Sequence, residues 1–375
     1  QADERRAFTL RRMRERARME LGQPARVSLD ALHGLDREAE RLGLYRERVA
    51  VLMMASQTHG RLGDQRTAER IALECVEMAK AIDDRPLLAD ALNRLGNTVA
   101  AEVPSRARHA FADALEISES IGDVRGQARG LNHLGIVALF EARLNDAEEA
   151  FSRALVVARG AGIPDLWGLA AQNLGVLLQK CGDYNRAREL FGDALALFAA
   201  VKHSEYQLVS LYNLAHVERE LGLWQSAGEL YDATMPLAQR IGQSDIEIGA
   251  TAGAGLCYLE LGKIDAARKA LADVNRRMET RPDWFQGREV AEALNIRVDA
   301  FDEKFDEALS RFDRALRLAE SSDLYNTAWL TVTCAETLAR FAPEQVAMSI
   351  ERYRERIKGL GYPEMTRRYE TLLKR

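Results

Sequence analysis

Proline is scarce in this sequence, eight residues in 375, too few for a polyproline arm or a disordered linker. Cysteine is scarcer still. Cys75, Cys181, Cys257 and Cys334 lie far apart, which excludes a disulfide framework and favours reduced thiols, with the cytoplasm as the expected compartment. No apolar run approaches the roughly 20 residues that span a bilayer. The opening QADERRAFTLRRMRERARMEL is Arg-rich and amphipathic, without the continuous apolar segment of a signal peptide. It also begins without Met, so the expectation is a processed chain or a piece of a longer one. A net charge of −5 gives no overall signature of direct nucleic-acid binding. The charge is uneven: seven arginines face four acids over residues 1–20, and eight Lys or Arg face four Glu over 351–375. These ends read either as ordinary solvated helices or as basic flanks of an acidic body that attracts basic partners.

Signals of catalysis are missing as well. There is no phosphate-binding glycine loop, HExxH pair or nucleophile elbow. His33, His59, His109, His133, His203 and His216 are not spaced with Cys or carboxylates as metal ligands would be. The expectation is a chain without enzymatic activity, cofactor or metal. An enzyme hidden in a groove would need clustered carboxylates from distant segments. Trp167, Trp224, Trp284 and Trp329 fall near expected helix starts and turns, where a structural plug is the natural role.

What the sequence does hold is 47% hydrophobic and 29% charged residues in a period of 40. A small residue recurs as Ser56, Gly96, Gly135, Gly175, Ala215 and Gly255. Eleven or twelve residues on stands an alanine: Ala68, Ala107, Ala147, Ala187, Ala227 and Ala267. Four residues later comes a large plug, Phe111, Phe151, Phe191, Tyr231 and Leu271, with only Ala72 in the first copy. Apolar spacing of three and four predicts helices, with no sustained alternation that would predict strands. Small residues allow two antiparallel helices to approach, and the plug fills the gap to the neighbouring pair. LGD at 62–64, GDY at 182–184 and LGK at 261–263 supply turns. One pair cannot bury its own apolar face, so stacking makes the core. The pattern predicts an all-α chain of about sixteen to eighteen helices. Packing positions are fixed by neighbours, while polar positions drift unless a ligand reads them.

This spacing resembles the tetratricopeptide repeat. The usual unit is 34 residues; here it is 40, and longer helices account for the extra six. That departure is similar to Pins/LGN-type adaptors, kinesin light chains and bacterial MalT-like or Rap-like regulators. The resemblance implies a helical-hairpin solenoid, a superhelix with a concave groove. It is strong over 45–286 as six repeats and weaker over 287–358 as two more. Residues 1–44 read as a degenerate first pair and 359–375 as a C-terminal capping helix.

Asparagine recurs on the first helix of successive pairs, as Asn93, Asn132, Asn173 and Asn213, although it competes for backbone hydrogen bonds and disfavours helix interiors. In the long-repeat families this resembles, Asn at this place forms a ladder that bonds an extended peptide's backbone, for which an amide offers both donor and acceptor. The alternative is Asn bonding a neighbouring helix. Asn93 and Asn132 lie three residues before the small position, Asn173 and Asn213 two before, and at 100° per residue they do not point alike. Asn97, Arg129, His133, Gln172, Tyr212, His216 and Arg219 are expected beside them. Two functions fit: a non-catalytic scaffold that binds a peptide or protein segment in its groove, or the sensory region of a larger bacterial signalling protein such as a cyclase, kinase or transcriptional activator. Oligomeric state leaves no trace in the sequence.

Overall fold

Two helices of 17 residues and two turns of three make the 40-residue period, as in α7 (Val124–Phe140) and α8 (Leu144–Gly160). The computed structural model describes residues 2–20, 23–280, 287–320, 324–359 and 361–374. These form two compact units, Gln1–Leu166 and Trp167–Arg375. The first carries α1 (Ala2–Glu20), α2 (Ala25–Arg41), α3 (Tyr45–Arg61), α4 (Gln65–Ala81), α5 (Arg85–Val99), α6 (Pro104–Ser120), α7 and α8. The boundary falls in the first turn of α9 (Pro164–Cys181). The second unit continues with α10 (Tyr184–Ala200), α11 (Ser204–Glu220), α12 (Trp224–Ile241), α13 (Ser244–Glu260) and α14 (Ile264–Thr280). It ends with α15 (Arg288–Phe301), α16 (Phe305–Glu320), α17 (Leu324–Leu338), α18 (Pro343–Lys358) and α19 (Pro363–Leu373). The described residues thus hold nineteen helices and no strand, one more than the upper end of the sixteen to eighteen expected. Trp284 lies outside the described residues.

Local chemistry explains the breaks. The middle residue of most turns adopts positive φ, at Gly43, Gly63, Gly122, Gly162 and onward at intervals close to twenty. Among the described residues four that are not glycine do so: Asp83, Ala142, Lys202 and Glu303. Helix starts are fixed by Asp64, Asp84 and Asp183, whose carboxylates accept from the amides of Thr67, Leu87 and Arg186, satisfying donors the helix leaves open. Pro86, Pro104, Pro343 and Pro363 sit in first turns, where a missing N–H costs nothing.

Packing follows the small–large ladder. Phe111 lies on the bare Cα of Gly96, Phe151 on Gly135 and Phe191 on Gly175; a Cβ at those glycines would come within 2.5, 2.5 and 2.8 Å of the ring. All three rings are buried, as are Ala107, Ala147 and Ala187 beside them. The pattern shifts further along. Tyr231, clustered with Ala215, also rests on Gly253, Gly255 meets Leu294, and Leu271 is only partly buried. In the first copy Ser56 Oγ donates to the Ala68 carbonyl at 2.8 Å where later copies place a ring.

In each unit the first helices of successive pairs touch one another, α3 with α5, and α11 with α13, α13 with α15, α15 with α17. They form an inner layer. Polar ties about one repeat apart run along this layer, such as Arg129 to Asp90 and Arg297 to Glu260.

Candidate binding cavity

Two of the four asparagines are spent on the fold. Asn93 is 5% exposed; its Nδ2 donates to the Ala89 carbonyl at 3.0 Å, and its Oδ1 stands 3.1 Å from His133 Nδ1. Asn132 is 4% exposed. Gln172, at the equivalent position of the next repeat, is also buried and donates to Ser210 Oγ at 3.2 Å. The expectation of an open asparagine row is therefore corrected. The position three before the small residue faces the neighbouring first helix, and the position two before it is turned 100° away. Asn173 and Asn213, at the second position, are partly exposed. Asn295 of α15 repeats the Asn93 arrangement, donating to the Ala291 carbonyl at 3.0 Å. It was absent from the expected row, although the LN dipeptide of 294–295 repeats 92–93 and 131–132.

In the first unit, His133 packs on Phe111 with ring centroids 4.6 Å apart. Burial, with Arg129 and Arg94 nearby, pushes its pKa down to about 4. Arg129 pairs with Asp90 at 2.9 Å, and Asn97 is exposed.

The second unit brings Tyr212, Asn213, His216 and Arg219 of α11 together on a cavity of about 500 Å³. Lys180 of α9, Asp245 of α13, Arg288 and Glu289 of α15, and Tyr325 and Trp329 of α17 complete much of its lining. Sequence spacing gave no signal for Lys180, Arg288 or Tyr325. Trp329, read as a plug, is buried inside α17 and forms part of the wall.

Arg219 anchors this wall. Its side chain is 5% exposed and its guanidinium lies 4.8 Å from the centre of the Trp329 ring. Nη2 lies 3.0 Å from Glu220 Oε1 and 3.2 Å from His216 Nδ1. A guanidinium only donates, so His216 Nδ1 accepts and the imidazole is neutral with its proton on Nε2. Burial, together with the Arg219 charge, holds its pKa well below the usual value. Glu220 accepts from Trp329 Nε1 at 3.0 Å and from Arg368 of α19 at 2.8 Å. Burial would raise its pKa, but the two arginines outweigh that and hold it at about 2. A second cavity of about 400 Å³ shares Arg219, Glu220 and Trp329 in its lining. α19 also crosses the α9–α10 turn, where Gly182 leaves room for Glu364. Among the described residues no cluster of His, Cys, Asp or Glu has the arrangement of a metal site, and no helix is long and apolar enough to cross a membrane.

The architecture is that of helical-hairpin repeat proteins. Residues 167–227 and 206–279 match the tetratricopeptide repeat family model, and both units have the fold of tetratricopeptide-repeat proteins. No curated protein matches the sequence. Among solved structures, the signal transduction ATPase with a tetratricopeptide repeat sensor from Pyrococcus horikoshii is similar, at 15% identity and a TM-score of 0.63. The match covers 85% of this chain and 50% of that one. A Rap protein complexed with competence and sporulation factor matches at 14% identity over 88% and 97% of the two chains, with a TM-score of 0.53. The quorum sensor NprR from B. thuringiensis, in its apo form, matches at 16% over 87% and 98%, also at 0.53. At these identities the likeness is one of fold.

Proposed function

We propose that this chain is a non-catalytic interaction protein that takes a peptide or protein segment against the inner layer of its repeats. The single observation that carries the reading is the cavity of about 500 Å³ in the second unit, on which Tyr212, Asn213, His216 and Arg219 converge. Its size suits a ligand pocket, and Tyr212, Tyr325 and Trp329 set among many polar and charged groups suit a short stretch of chain. Asn173 belongs to the same proposal, and Asn97, Arg129 and His133 would serve a contact in the first unit. Asn93, Asn132 and Gln172 would act indirectly, by holding neighbouring helices in place.

The Rap and sensor likenesses favour a second reading of the same site, as the sensory part of a larger bacterial signalling protein. On that reading, occupancy of the cavity would be passed to an effector. The four cysteines, none of them in a disulfide among the described residues, suit a cytoplasmic home. Neither reading calls for direct binding of nucleic acid or membrane. The test is affinity capture from lysate followed by mass spectrometry, with Asn213→Ala/His216→Ala as control. Proteins recovered by the native chain and lost by the variant support the cavity as the seat; identical recovery by both refutes it.

A further inference from the structure

Two exposed patches of opposite charge lie away from the cavity, one in each unit. We propose that they bind each other between copies of the chain: the outward face of α1 in one copy docks on an aromatic, acidic edge of turns around α15–α18 in a second copy.

α1 carries apolar residues on two sides. Phe8 and Met19 are buried, with Glu15 between them. At 100° per residue, Leu10, Met13 and Ala17 form a stripe on the opposite side. Leu10 is 63% exposed and Met13 59%, and Ala17 is exposed as well. Spacing of three and four is that of a seam for a packing partner, whereas apolar residues scattered singly would need no explanation. Arg6 continues the stripe and Arg14 borders it; neither forms an ion pair among the described residues.

The second patch lies on turns of the second unit. Phe305, which opens α16, stacks on Phe341 of the α17–α18 turn with ring centroids 4.0 Å apart. Phe341 is 49% exposed, and Phe301, across the turn from Phe305, is 47% exposed. Residues 301–307 and 339–345 carry five acids against two cations, Lys304 and Arg340. Glu303, Asp306, Glu307 and Glu344 are exposed and form no ion pair among the described residues. Docking like on like is repelled, since α1 against α1 brings arginines together and edge against edge brings carboxylates together. α1 against the edge opposes the charges and sets Leu10 and Met13 on the phenylalanine rings, where a thioether is attracted. An apolar centre with complementary charges at its border is the layout of a protein interface. Because the two faces differ, the contact is heterologous, and it continues from copy to copy unless a ring closes.

Sedimentation velocity of the full chain over about a hundredfold range of concentration should show mass rising with concentration. Raising salt from about 0.05 to about 0.5 M should weaken association roughly tenfold, since border charges are screened. Leu10→Glu/Met13→Glu and Phe301→Ser/Phe341→Ser, at exposed positions, should each be monomeric with the native melting temperature. Mixed together they should form dimers and nothing larger, because one competent pair of faces remains. Charge reversal gives a second set: Arg6→Glu/Arg14→Glu and Glu303→Lys/Glu307→Lys should each associate weakly, and their mixture should recover. A native chain that stays monomeric overturns the proposal. So does association that survives either apolar variant, or a mixture of the two that stays monomeric. A monomeric native chain that binds phosphatidylglycerol vesicles through Leu10 and Met13 would assign the α1 face to an anionic surface and overturn the docking.

Discussion

Residues at equivalent positions do different work here, and the difference is testable. Ala142 adopts φ 55° in a turn where most copies carry glycine. An L-residue in that region is strained by about 1–2 kcal/mol, part of which glycine's extra freedom in the unfolded chain cancels. Ala142→Gly should therefore stabilise by roughly 0.5–1 kcal/mol in urea titration; a loss would mean the turn is not strained. Phe191 carries the opposite risk. Its ring is fully buried over Gly175, and Phe191→Ala should cost on the order of 3–5 kcal/mol. A melting temperature within a degree or two of the native value would contradict this packing. Gly175→Ala should also destabilise, since the added methyl meets the same ring.

Among the elements, α19 is held by few groups with large consequences. Tyr369 and Met365 are buried against the rest of the second unit, and Arg368 reaches Glu220 across 148 positions of sequence. Arg368→Gln removes one of the two cations on a buried carboxylate. The expected loss is about 1.5–3 kcal/mol, as for a hydrogen bond to a charged group. Hydrogen exchange should localise that loss, with amides of 363–373 exchanging faster and those of α14 unchanged. Unchanged exchange in α19 would show that apolar packing alone holds the helix, and the ion pair would lose its assigned role.

At the scale of the whole molecule, both units hold a histidine whose pKa is depressed, His133 in the first and His216 in the second. A depressed histidine favours the neutral form when folded. Its contribution is complete above the unfolded value of 6.5 and is lost as pH falls, until His133 itself takes up a proton near pH 4. Each group changes stability by at most about 1.4 kcal/mol per pH unit in that window. Stability should fall between pH 6.5 and 5, well above the range near pH 2 where Glu220 protonates. His133→Gln should flatten the slope of the first unit's transition; an unaltered slope would mean that His133 titrates in the native state as it does in the unfolded chain. The repeat was legible in the sequence because packing between adjacent helices is local: Gly135 and Phe151 meet sixteen positions apart. Helix type, turn spacing and the buried rings follow from such short-range contacts. Even there, the asparagine row left two readings open, and the burial of Asn93 and Asn132 follows from a register in which one residue turns a side chain through 100°, from the groove into the neighbouring helix. The cavity was legible only on its α11 wall, where Tyr212, Asn213, His216 and Arg219 were expected. Lys180, Arg288 and Trp329, and Arg368 on the neighbouring cavity, carry no mutual spacing, and their meeting depends on how successive pairs stack over several repeats. Sequence by itself determined what each repeat is; only the tertiary structure decided which distant repeats face one another, because charge and aromatic partners separated by a hundred residues are brought together by stacking geometry, to which no single repeat's pattern is sensitive.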